Sequence, residues 1–142
     1  MKKRIWKMAV SLVLAMSLIL GYSKVVALAA TSVKGSIGGI SVSGALTMNT
    51  TSATASTSFG SGGGTIYATA TVYYWFGTMY YKSEVGPNES TAGGASATAT
   101  KKLGGADVVG AKGQHKVKWQ AYTWEPADTT TGTIIENAVE RN

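Results

Sequence analysis

From Thr65 to Phe76 the side chains alternate without a break. One set reads Ile66, Ala68, Ala70, Val72, Tyr74, Phe76, and the other Thr65, Tyr67, Thr69, Thr71, Tyr73, Trp75. A period of two held this long, in Thr, Tyr and Val, suits a pleated strand and defeats a helix, whose faces repeat every 3.6 residues. Weaker versions of the same rhythm recur along the chain. Val33–Ile37 and Ile40–Met48 flank Gly38-Gly39, a pair suited to a two-residue hairpin turn. Thr51–Phe59 and Ala95–Leu103 alternate in small residues, Ala106–Ala111 is short, and Gln114–Glu125 reads as one strong strand ended by Pro126. Gly77 suggests a bulge or a bend where the chain passes to a second sheet. Ser83–Gly94, with Pro87-Asn88 inside, reads as the longest loop.

The fold class implied is all-β: a single small β-sandwich, or a partly closed barrel, of about seven to nine antiparallel strands. The domain proper is expected over residues 30–128, with residues 129–142 as a C-terminal strand or short polar tail. Residues 1–29 read differently. Lys2, Lys3, Arg4 and Lys7 precede an apolar run from Met8 to Gly21, and Val26-Ala27-Leu28-Ala29 offers small residues for cleavage. This is the pattern of a secretory signal peptide that is removed. The run is short of the ~20 apolar residues of a membrane span. The expectation is a secreted, extracellular protein of a bacterium, without a transmembrane segment in the mature chain.

Setting the leader aside changes the charge argument. The formal net charge of +6 includes five leader cations, leaving eight basic and seven acidic residues beyond it. No nucleic-acid partner is expected from so balanced a chain. The chain has no cysteine, so burial and backbone hydrogen bonds must hold the fold without the disulfides common in small secreted domains. More than half of the residues after the leader are Gly, Ala, Ser or Thr. The driving force for folding therefore falls on the aromatics, Val and Ile.

Catalytic chemistry finds little material. His115 is the single histidine, no serine stands in a G-x-S-x-G elbow, and His115 reads as a core residue whose ring nitrogens are satisfied locally. Of the carboxylates, Glu84, Glu89, Asp107, Glu125, Asp128, Glu136 and Glu140, most fall in expected loops or the tail. Glu125, ending an aromatic strand, is the first to check for glycoside hydrolysis. No zinc or EF-hand spacing is present. The expectation is a non-enzyme with no catalytic residue, no metal and no cofactor.

The aromatic residues carry the functional promise. Tyr67, Tyr73 and Trp75 share a strand face with threonines, and Tyr122 and Trp124 share one with Lys116, Lys118 and Gln120. Turned outward, such faces stack on sugar rings; turned inward, they are the core that a leucine-poor chain needs. The candidate ligand-binding set is thus Tyr73, Trp75, Tyr122, Trp124, Lys116 and Lys118, and the candidate ligand a polysaccharide or cell-wall polymer. The function expected is an extracellular or cell-surface binding or structural module. The alternative is a secreted antibacterial or pore-forming toxin-like protein acting on membranes, with Tyr73–Phe76 and Tyr80-Tyr81 at the interface. Weak register control in small-residue strands also makes self-association an expectation.

Overall fold

The computed structural model describes residues 31–142; the signal-peptide reading lies outside them. These residues form ten strands and no helix. In chain order they are β1 (Ser32–Ile37), β2 (Ile40–Met48), β3 (Ser52–Phe59), β4 (Thr65–Phe76), β5 (Met79–Ser90), β6 (Gly94–Thr100), β7 (Asp107–Trp119), β8 (Tyr122–Trp124), β9 (Thr129–Gly132) and β10 (Val139–Glu140). Two sheets result. The smaller has the order β1-β2-β3-β6, and the larger β10-β5-β4-β7-β8, with β9 also paired to β7. They pack through β2, β3 and β6 on one side and β4, β5 and β7 on the other, without closing into a barrel.

Alternation explains the smaller sheet. Val42 and Leu46 of β2, Ala53, Ala55 and Phe59 of β3, and Ala95, Ala97 and Ala99 of β6 are all buried. Between them, Ser and Thr face outward and bond across strands, Ser43 to Ser58 at 2.7 Å and Thr54 to Thr98 at 2.8 Å. From the larger sheet, Ile66, Val72, Tyr74 and Val117 supply the bulk that these alanines lack. The Tyr74 hydroxyl is satisfied inside this core: it donates to Ser83 Oγ at 3.2 Å, and Ser83 in turn donates to the Arg141 carbonyl at 3.1 Å.

Several expectations are corrected. There are ten strands, above the seven to nine expected, and β10 pairs parallel to β5. Gly77 does not bend the chain toward another sheet; it begins the turn between neighbouring β4 and β5. Its φ of +65° beside an ordinary Thr78 fits a type II′ hairpin, which needs glycine there. Most of the expected loop Ser83–Gly94 is strand β5. Its Gly86-Pro87 pair stands opposite Thr69 alone, a bulge that accommodates a proline with no amide to donate.

The span Gln114–Glu125 is also not one strand. It turns at Gln120-Ala121, with Gln120 at φ +54°, and returns as β8 so that Trp119 pairs with Tyr122 and Val117 with Trp124. Paired residues share a face, so Tyr122 and Trp124 lie on the side of Val117 and not on that of Lys116 and Lys118. Within residues 129–142, the two short strands β9 and β10 join the larger sheet. β9 lies on one side of β4 and β10 on the other, so the segment between them crosses the sheet.

Candidate functional site

The outward face of the larger sheet carries a groove of about 380 Å3. Its floor is Tyr67 and Thr69 of β4. One wall is Glu84 and Pro87 of β5; the other is Gln114, Lys116 and Lys118 of β7; the lip is the Glu125–Asp128 stretch joining β8 to β9. Strand register assembles it. Tyr67 stands opposite Lys116 on β7 and Glu89 on β5, Thr69 opposite Gln114, and Thr71 opposite Lys112 and Glu84. All these residues occupy the outward positions of the alternation first visible in β4.

Charges are matched across the groove. Lys116 Nζ lies 2.7 Å from Glu125, and Lys112 Nζ 3.7 Å from Asp128. The Thr71 hydroxyl donates to Glu84 at 2.9 Å. Lys118 Nζ sits 5.8 Å from the centre of the Tyr67 ring, within cation–π range. The result is a half-buried aromatic ring framed by two ammonium groups, an amide and paired carboxylates. Such a surface can stack on an apolar ring face while donating to and accepting from hydroxyls around its rim.

The candidate residues separate in space. Lys116 and Lys118 line the groove. Tyr73, on the same face, is only 4% exposed. Burial first, then the carboxylates Glu84, Asp128 and Glu136, push its phenol above the ordinary value of 10. Glu136 belongs to the segment that crosses from β9 to β10, so the chain itself lies close to this ring. Trp75 is exposed at the far end of β4, beside Tyr80. Trp124 is partly buried against the core, its indole set where a side chain at Gly35 would stand. Tyr122 is exposed and stacks on Trp119, ring centres 6.2 Å apart.

Gln114, Glu84 and Asp128 join the site without having been singled out as ligand residues, and Tyr67, expected on the aromatic platform but not in the candidate set, is its floor. Tyr67 was legible as a member of the same β4 face as Tyr73. Gln114 was legible as a member of the Lys116 and Lys118 face of β7; Glu84 depended on β5 being a strand, and Asp128 on the path of the β8–β9 connection.

His115 lies on the inward face, 3% exposed. Its Nδ1 is 2.9 Å from the Thr57 hydroxyl and its Nε2 2.9 Å from that of Thr129. Thr57 donates to the Tyr67 carbonyl at 2.8 Å, so it accepts from Nδ1–H; the single Thr129 hydroxyl proton is shared between Nε2 at 2.9 Å and the Gly113 carbonyl at 3.2 Å and is assigned to the nearer Nε2, which gives a neutral ring with both nitrogens satisfied. Burial holds the imidazole below its ordinary value of 6.5, with Asp128 opposing. A histidine bound on both nitrogens between two sheets is a cross-link.

Comparison with known proteins finds no family model, no curated protein and no solved structure that matches the chain.

Proposed function

We propose that the protein is an exported, non-enzymatic binding module and that the groove over Tyr67 holds a carbohydrate or cell-wall polymer. One observation carries this reading: a half-buried tyrosine ring at the floor of an open groove, with Lys116, Lys118 and Gln114 around it. Sugar rings present an apolar face for stacking and hydroxyls at the edge, and the groove offers a counterpart for each. An open groove along a sheet also admits a chain longer than the groove itself. The basic leader and apolar run support an extracellular site of action.

The test is retention on insoluble polysaccharides and purified cell wall. Retention is expected for the native chain and is expected to fall about tenfold for Tyr67→Ala, the scale of one stacking contact. No retention on any polymer, with tryptophan fluorescence unchanged across a glycan panel, overturns the reading.

A further inference from the structure

Six of the seven exposed large hydrophobic side chains among the described residues gather at one end of the molecule: Met48, Trp75, Phe76, Met79, Tyr80 and Val139, each 37–48% exposed. Their grouping follows from topology. Thr100 pairs with Ser52, Lys101 bonds the Thr51 carbonyl, and Trp75 stands opposite Asp107. The ends of β2, β4 and β6 and the starts of β3, β5 and β7 therefore coincide. A chain this poor in large apolar residues leaves them uncovered here, and such a patch marks an interaction surface.

Both faces of the β4–β5 hairpin tip are apolar. Trp75 pairs with Tyr80 and Phe76 with Met79, so consecutive pairs point to opposite sides of a two-stranded ribbon. A platform for a flat ligand needs one such face; a tip dressed on both suits immersion. Trp, Tyr and Phe are the residues that settle at the boundary of headgroups and acyl chains. Lys82, Lys101, Lys102 and Arg141, half of the cations beyond the leader, surround this end, against Asp107 and Glu140, and Glu140 lies 3.8 Å from Lys82. The chain also enters the fold here, since Leu46 N bonds the Thr31 carbonyl.

We propose that the β4–β5 tip, Trp75–Tyr80, is a shallow membrane anchor that rests in the interface of an anionic phospholipid bilayer. The Tyr67 groove lies eight residues back along β4, roughly 26 Å from the tip, and opens sideways from the sheet face, clear of the lipid. The anchor stands independently of what the groove binds.

Because the chain has no cysteine, Thr78→Cys gives a single site for an environment-sensitive dye. Gly62→Cys, in open space on the β3–β4 connection at the opposite end, gives the control. With vesicles containing phosphatidylserine, the dye at 78 is expected to shift to the blue and to be quenched by brominated acyl chains, while the dye at 62 is not. The pair Phe76→Ser and Met79→Ser is expected to weaken partition about tenfold; both side chains are half-exposed, and an unchanged melting temperature verifies folding. Four results would each overturn the proposal: no shift at 78, equal response at both positions, an equal response with zwitterionic vesicles alone, or a shift at 78 that follows protein concentration without lipid. The last would assign the tip to a second copy of the chain.

Discussion

Removing the Thr57 hydroxyl tests the reasoning at the centre of the fold. Thr57 is 2% exposed, accepts from His115 and donates to the Tyr67 carbonyl. Thr57→Val keeps the shape and leaves the buried His115 Nδ1 without a partner, as a donor or, if the ring moves its proton to Nε2 to donate to Thr129, as an acceptor. A stranded buried donor or acceptor costs roughly 1–3 kcal/mol, and loss of the bond to Tyr67 adds about 1 kcal/mol. For a chain of this size about 4 °C per kcal/mol applies, so the melting temperature is expected to fall by roughly 8–15 °C. Thr57→Ser retains the hydroxyl and loses one methyl, a cost of about 1 kcal/mol.

Acid should act on the same network. The folded-state pKa of His115 lies below 6.5, so between the two values the unfolded chain binds the extra proton. Stability is then lost as pH falls from about 6.5 through the folded-state value, with a slope of at most about 1.4 kcal/mol per pH unit. Urea denaturation from pH 7.5 downward measures this, and His115→Gln is expected to flatten the profile in that window. A Thr57→Val protein melting within 2 °C of the native one, or native stability rising on acidification below pH 6.5, would refute the reasoning.

Other outcomes follow from packing. Gly44→Ala sets a methyl 2.7 Å from His115 Nδ1 and closer still to Cγ; with both nitrogens tethered the ring cannot yield. A loss of about 2 kcal/mol or more is expected by chemical denaturation, against almost none for Gly62→Ala, which meets nothing. Gly110→Ala drives a methyl into the Thr133 backbone, 2.7 Å from its nitrogen. It is expected to undock β9, read as new protease sensitivity beyond Asp128. Lys116→Ala breaks a pair whose Glu125 side chain is 60% exposed, so stability should change by less than about 1 kcal/mol while polymer retention falls.

How much could be read from the sequence varied with the kind of signal. The rhythm of β4 and the Gly38-Gly39 turn were plain, because Thr, Tyr and Val alternation and paired glycines each have one economical backbone solution. Both turn glycines do take positive φ, +57° and +81°. The turn at Gln120-Ala121 carried no Gly, Asn or Pro, so the lost register moved Tyr122 and Trp124 to the wrong face. In β5 the opposite happened: Gly86-Pro87 gave a strong loop signal that the structure absorbs as a bulge. The near-complete burial of Tyr73 depended on contacts remote in sequence, which no local pattern reports. The Tyr67 groove was half-legible for the same reasons: its β4 floor followed from alternation, its β5 wall and Glu125–Asp128 lip did not.

Backbone amide chemical-shift mapping during titration with soluble cell-wall fragments tests the binding account most directly. Saturable shifts are expected to concentrate at Tyr67, Thr69, Gln114, Lys116 and Lys118 and to spare Trp75–Tyr80. Shifts confined to the hairpin tip, or none at millimolar ligand across chemically distinct fragments, would contradict it.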